Sequence, residues 1–248
     1  MTTAGKSPSD EARVAIVTGA GRGIGRAVAL ELGRAGYSLC LAARSRDELE
    51  ETRSQSGLAP DRALIVLVDL AAEEAPDQLM GAALDRYGHV DVLVNNAGWA
   101  PPRTPLLKMR PVDVDRMIAV NLRAPIALTR LAAAAMIPRG AGTIVNVASS
   151  AALKAPAGEA VYAATKSGLI AFTRAAFAEM RKSGLKIAVI VPGLVDTAMI
   201  PNNKRLDRAA MLSTASVART VMQIVDAPAG TCPLEVRLEP QLDPERQG

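Results

Sequence analysis

Three side chains late in the chain have the types and spacing of proton-transfer chemistry. Ser149 follows Asn146-Val147-Ala148, and Tyr162 and Lys166 come thirteen and seventeen residues after it. Four residues apart on a helix, Tyr162 and Lys166 project from one face. An ammonium near a phenol favours phenolate and lowers a pKa that starts near ~10. A serine hydroxyl can donate to charge developing on a substrate oxygen. Tyr–Lys pairs at this spacing also occur on ordinary helix surfaces, so the pair alone decides nothing.

A second group lies near the N-terminus. Thr18-Gly19-Ala20-Gly21-Arg22-Gly23-Ile24-Gly25 follows an apolar strand-like run and opens an amphipathic segment. Between strand and helix, glycines let backbone amides reach a pyrophosphate while the helix start adds partial positive charge. The spacing is G-x-x-x-G-x-G, without the Lys-Ser/Thr of a P-loop. Sites that prefer NAD place an acid against the ribose 2′-hydroxyl about twenty residues on. Here the stretch reads Leu41-Ala42-Ala43-Arg44-Ser45-Arg46, with Arg44 next to the position where the acid is missing. Arg44 and Arg22 offer two guanidiniums to a 2′-phosphate, which favours NADP(H).

Short apolar, β-branched runs must position these groups. Strands are expected at Val14–Thr18, Ser38–Ala42, Ala63–Val68, Val90–Asn95, Gly142–Ala148, Lys186–Val191 and Leu234–Leu238. Fully apolar runs suit strands covered on both faces. Helical segments separate them, among them Ile24–Ala35, Ala72–Tyr87, Val112–Met136 and Glu159–Lys182. Strict alternation implies an α/β fold: a Rossmann-type doubly wound parallel sheet of about seven strands with helices on both faces. With no repeat or linker, residues 1–248 read as one domain with flexible ends at 1–11 and 241–248. The last strand alternates apolar and charged residues, which suits an edge with one wet face.

Composition removes several other functions. The chain has 248 residues and is 49% hydrophobic, but it holds only one Trp, three Tyr and two Phe. Base-stacking platforms need clustered rings, and none cluster here. One histidine, His89, and two cysteines leave too few ligands for a structural zinc site. His89, just before an apolar run, reads as a polar turn residue. The net charge of +4 is scattered among acids, so no nucleic-acid partner is expected. No apolar leader stands at Met1–Asp10, no run reaches bilayer-spanning length, and two cysteines build no disulfide framework. A reducing cytoplasm and no membrane partner are expected.

Taken in order, the motifs resemble the short-chain dehydrogenase/reductase family of the simple single-domain type, similar to 3-oxoacyl thioester reductases. They are Thr18–Gly25, Asp69, Asn95-Asn96-Ala97-Gly98, Asn121, Ser149, Tyr162/Lys166 and Pro192-Gly193 through Thr197. The resemblance implies seven parallel strands with the site at their carboxyl ends. It implies Tyr162 as general acid in carbonyl reduction and base in alcohol oxidation, with Ser149 on the substrate oxygen. Lys166 would hold the nicotinamide ribose and depress the Tyr162 pKa, and Asn121 would anchor a water that relays protons. For the cofactor it implies Gly19, Gly21, Arg22, Gly23, Ile24 and Gly25 in the loop, Arg44 beside it, and Asp69 and Leu70 near adenine. Asn96, Ala97 and Gly98 would lie along it, and Pro192, Gly193, Val195 and Thr197 at its nicotinamide end. The implied reaction is NADP(H)-dependent interconversion of a small-molecule carbonyl and an alcohol by a homodimer or homotetramer. A catalytically silent dinucleotide sensor or interaction protein on the same fold is the alternative, and the intact Ser149, Tyr162, Lys166 and Asn121 argue against it.

Several departures are legible. Pro125 has no N–H for the carbonyl of Asn121 and should kink the helix, leaving that carbonyl free. Leu238-Glu239-Pro240 replaces a Gly-Gly-containing C-terminal segment, which puts the family's usual tetramer contacts in doubt. The segment Ala198–Asp207 is short and implies an open pocket. Trp99, after the Asn-Asn-Ala-Gly turn, should border the substrate.

Overall fold

A computed structural model describes residues 12–200, 203 and 205–244; the expected flexible end at 1–11 and the last four residues of the one expected at 241–248 lie outside them, as do Pro201, Asn202 and Lys204. Seven strands run parallel: β1 Val14–Thr18, β2 Ser38–Ala43, β3 Ala63–Leu67, β4 Val92–Asn95, β5 Gly142–Val147, β6 Leu185–Pro192 and β7 Glu235–Leu238. Their order is β3-β2-β1-β4-β5-β6-β7. The order reverses between β1 and β4, and open α/β sheets bind ligands in the crevice at such a reversal, outside the strand carboxyl ends.

The two-residue period of a strand sends alternate side chains to opposite layers. Ala15 and Val17 join Leu39, Val94 and Val145 on one face, under α1 (Gly23–Arg34), α2 (Arg46–Ser56) and α8 (Thr214–Val225). Ile16 joins Cys40, Leu93 and Ile144 on the other, under α3 (Ala75–Tyr87), α5 (Ala124–Met136) and α7 (Ala160–Met180), the last preceded by the short α6 (Ala151–Lys154). With few rings available, Leu, Ile, Val, Ala and Met fill both layers. The β7 edge is half-wet as expected: Val236 and Leu238 pack on the core, while Glu235 pairs with Arg174 and Arg237.

Two expected elements differ. The helix expected from Ala72 begins at Ala75, with Pro76 in its first turn; a proline is accepted there because no intrahelical N–H is required. The helix expected over Val112–Met136 is interrupted: α4 (Pro111–Ile118) meets α5 through a five-residue π-helical turn, Ala119–Arg123. Within that turn the Ala124 amide bonds to Ala119 O, five residues back. Pro125 supplies no amide to Asn121 O, so the irregularity appears as a wide turn directly upstream of the proline.

The expectation that no run reaches membrane length needs correcting. Among the described residues the continuous helical run Pro111–Arg139 passes by length and composition, though 56% of its apolar window is buried inside the fold. Leu128, Ala132 and Met136 of that run are core residues against the sheet, as in a buried helix of a globular protein.

Candidate active site

The glycine loop leaves β1 and is pinned from three sides. The Thr18 hydroxyl accepts from the amides of Asn96 and Ala97, both at 3.0 Å. The Asn96 side-chain amide donates to Thr18 O at 2.9 Å and Gly19 O at 3.4 Å. From behind, Arg26 of α1 holds Gly21 O through Nε at 3.0 Å, and Thr52 of α2 donates to Ala20 O at 2.9 Å. Gly19 has φ +65°, and a Cβ on Gly25 would lie 2.1 Å from Gly19 O. Only glycine permits this positive φ without strain and this close approach of loop to helix. The loop is therefore a glycine-rich backbone turn at a helix start, a local arrangement suited to a phosphate. On its far side a hollow of about 310 Å³ is lined by Arg44, Leu67, Val68 and Asp69.

Across the crevice, β5 delivers Ser149 and α7 delivers Tyr162 and Lys166. Ser149 lies beside the Tyr162 phenol, and its hydroxyl accepts from the Ala151 amide at 3.2 Å. Burial pushes the phenol above its ordinary value of 10.0, Ser149 opposes the rise, and the Glu159 carboxylate adds to it. Burial brings Lys166 down from 10.5 to about 8. Lys166 is 3% exposed; its Nζ donates to Val147 O at 2.8 Å and stands 5.9 Å from the Tyr162 ring centroid. The expected depression of the phenol by Lys166 is thus overturned for the protein by itself. Desolvation raises the phenol, and the ammonium is directed at a strand carbonyl.

Asn121 sits in the π turn, fully buried. Its side chain takes both backbone groups of Trp99, accepting from the amide and donating to the carbonyl, each at 2.8 Å. Its Nδ2 also lies 3.4 Å from Thr165 Oγ1. A Cβ on Gly98 would lie 3.5 Å from Asn121 Oδ1 and 3.7 Å from Lys166 Nζ, so this glycine marks the meeting of the two. Beside Tyr162 is a cavity of about 10 Å³ walled by Ala100, Pro101, Met109, Met117, Gly158 and Glu159, room for about one water-sized group. Arg103 pairs with Glu159 at 2.5 Å and the Thr104 amide bonds Gly158 O at 3.0 Å, which ties this wall to the start of α7.

A sequence description of short chain dehydrogenases matches residues 13–207. The chain belongs to the short-chain dehydrogenase family. Uncharacterized oxidoreductases of Staphylococcus aureus strain MRSA252 and Staphylococcus epidermidis are each 30% identical to it, covering 92% of this chain and 97% of their own. A metagenomic short-chain oxidoreductase solved with NADP is 32% identical with TM-score 0.81, covering 94% of this chain and 99% of that one. The 3-ketoacyl-(acyl-carrier-protein) reductase of Brucella melitensis, solved with NADH, is 26% identical with TM-score 0.85, covering 93% and 98%. The chain is an oxidoreductase of this family, which acts on small molecules through a nicotinamide dinucleotide.

In this short-chain dehydrogenase the residues singled out in the sequence fall into several groups. Ser149, Tyr162, Lys166, Asn121 and Gly98 converge. Thr197, after β6, comes within 3.5 Å of a Cβ built on Gly23, so this segment closes against the loop. Pro192 O accepts from Ser150 N, and Gly193 N donates to Leu238 O. Leu70 and Val195 are buried and Ile24 packs on the core, so they support the crevice walls from behind. Asp69 is already engaged: its Oδ1 accepts from the Ala71 amide and its Oδ2 pairs with Arg116 at 2.7 Å. Burial raises the Asp69 carboxyl, but these two bonds and the charges of Arg116 and Arg44 hold it below its ordinary value. The Trp99 ring lies under the Arg116 guanidinium at 5.6 Å, and Asn121 holds its backbone amide and carbonyl. Sequence reasoning missed Arg116, for which no local signal exists. It also missed Glu48, which is readable only as the fourth residue of a Ser-x-x-Glu helix start.

Proposed function

We propose that this chain interconverts a carbonyl and a secondary alcohol with NADP(H), working as a reductase on a small ketone or a 3-oxoacyl-type substrate. The observation that carries the reading is the convergence of Tyr162, Ser149 and the buried Lys166, with Asn121 and Gly98 beside the lysine. The nicotinamide, when bound, supplies the hydride chemistry. Ser149 and Tyr162 orient the substrate oxygen and stabilise its developing charge. During reduction the Tyr162 hydroxyl gives its proton to that oxygen; during oxidation the same atom takes it back. Lys166 would hold the nicotinamide ribose and receive protons by way of Asn121, whose carbonyl lacks an amide from Pro125. Gly19, Gly21, Gly23 and Gly25 hold the pyrophosphate, and Arg22 and Arg44 the 2′-phosphate. Asp69 with Leu70 frames the adenine. Asn96, Ala97 and Gly98 support the middle of the cofactor, and Pro192, Gly193, Val195 and Thr197 its nicotinamide end. As the family resemblance implies, the chain is read as a one-domain cytoplasmic homodimer or homotetramer. The 3-ketoacyl reductase and the NADP complex among its relatives support the substrate class and cofactor.

The test is a panel of ketones, diketones and 3-oxoacyl thioesters followed by NADPH absorbance. Tyr162→Phe should lower turnover by about 10²–10⁴-fold while NADPH binding, read by fluorescence, stays intact. Arg44→Asp should move preference towards NADH. NADPH binding without turnover of any panel member by the wild type would instead favour a silent dinucleotide sensor.

A further inference from the structure

We propose that Glu48 is an internal competitor of the cofactor's 2′-phosphate, narrowing the preference for NADP(H) over NAD(H). The inference rests on the dinucleotide reading above. Arg22, expected to face that phosphate, already holds a carboxylate: its Nη1 lies 3.2 Å from Glu48 Oε1. Glu48 also touches the loop itself. A Cβ on Gly21 would meet Glu48 Cβ at 2.9 Å and Oε2 at 3.0 Å. The carboxylate therefore stands between the glycine loop and the first turn of α2, which begins just beyond Arg44.

Its place is fixed by the backbone. The Glu48 amide donates to Ser45 Oγ at 3.4 Å, and the Glu48 carbonyl accepts from Thr52 Oγ1 at 3.0 Å and Arg26 Nη2 at 3.4 Å. Thr52 and Arg26 are the same side chains that hold Ala20 O and Gly21 O. Helix and loop thus share their braces, and Glu48 cannot shift far without disturbing both.

The consequence is a matter of charge. A phosphate that reaches for Arg22 must displace Glu48 and then sit beside an anion. A 2′-hydroxyl meets the reverse, because a carboxylate accepts its hydrogen bond. One side chain thereby opposes the phosphate and favours the hydroxyl. The guanidinium is 64% and the carboxylate 35% exposed, so water and salt screen the effect strongly. An exposed ion pair is worth a factor of about 1.5–5, and repulsion between carboxylate and phosphate raises the total to about three- to tenfold.

Half-site probes test this on the full chain without turnover. Calorimetry with 2′,5′-ADP and 5′-AMP at ~0.1 M salt compares the wild type, Glu48→Gln and Glu48→Gln in an Arg22→Gln background. Glu48→Gln should tighten 2′,5′-ADP about three- to tenfold and leave 5′-AMP unchanged or weaker. Without Arg22 the gain should fall to the smaller part due to repulsion alone, and it should shrink at high salt. No gain, an equal gain for both nucleotides, or a gain undiminished without Arg22 overturns the proposal; the equal gain would mark a loosened loop. Should the Gln variant fail to fold, Glu48→Ser is read the same way. A wild type that binds neither nucleotide overturns the dinucleotide reading itself, an outcome distinct from any of these.

Discussion

Lys166 is 3% exposed, and burial brings its pKa from 10.5 to about 8. The gap between those values corresponds to about 3 kcal/mol by which burial disfavours the charged lysine. Lys166→Met removes that penalty, fills nearly the same volume, and deprives Val147 O of its 2.8 Å partner. The lost bond costs about 1 kcal/mol, so the variant should be more stable by about 2 kcal/mol at pH 7. For a chain of this length that raises Tm by about 4–8 °C. The sign with pH is fixed. Between about 8 and 10.5 the unfolded lysine keeps its proton and the folded one has lost it, so wild-type stability rises with pH across that window. The contribution is complete above 10.5 and lost as pH falls through about 8. The Tm difference between variant and wild type should therefore be largest below pH 8 and close as pH approaches 10.5. Tyr37 and Tyr87, both raised by burial, titrate alike in the two proteins and cancel. Thermal melts of the nucleotide-free proteins between pH 6.5 and 10.5 measure this, and the variant should have lost turnover. A variant less stable than wild type at pH 7, or a Tm gap that does not change with pH, would refute the reasoning.

Two further outcomes follow from the geometry. Gly25→Ala drives a methyl to 2.1 Å from Gly19 O and 2.5 Å from Asn96 Nδ2, so urea unfolding should show a loss of about 1–3 kcal/mol, with weaker NADPH binding. Pro125→Ala restores an amide that can bond Asn121 O; hydrogen exchange over 119–125 should show a tighter turn, and kcat should fall while NADPH affinity holds. Full activity in that variant would remove the role given to Pro125.

The sheet was legible because its central strands are short, apolar and buried on both faces, so composition alone marks them. Val14–Thr18 lies where the sequence places it. The start of α3 was less legible because Ala72, Glu73 and Glu74 suit a helix, and Pro76 sets the first turn only once its position is recognised. The π turn has a local cause in Pro125, but its width depends on what α4 and α5 pack against. Ser149, Tyr162 and Lys166 were readable as residue types and spacing. Their acidities were not, because desolvation of Tyr162 and Lys166 depends on the closed wall around them. Glu48 is readable as part of a helix start, yet its contact with Arg22 arises only when α2 folds back beside the glycine loop.

The polar interior shows where this aliphatic fold accepts a cost. Asn95 and Asn146 are register partners on β4 and β5, both essentially unexposed. Asn95 Nδ2 donates to Asn146 Oδ1 at 2.9 Å and to Thr129 Oγ1 at 3.3 Å, and Asn146 Nδ2 donates to Thr173 Oγ1 at 2.9 Å. A chain of polar groups thus crosses from α5 through two strands to α7, and Asn95 Oδ1 is left without a partner. Such an atom costs about 1–3 kcal/mol, and leucines would pack the same layer without it. What leucines would not do is specify register. A one-residue slip of β4 against β5 would keep apolar contacts, but it would part the two amides and leave more buried polar atoms unpaired. The register they select sets the residues that follow: Asn96 against the glycine loop, and Ser149 opposite Tyr162. Alignment of those two strand ends is the requirement shared by the glycine loop and the Ser149–Tyr162 pair, and it accounts for buried amides at this layer of the sheet.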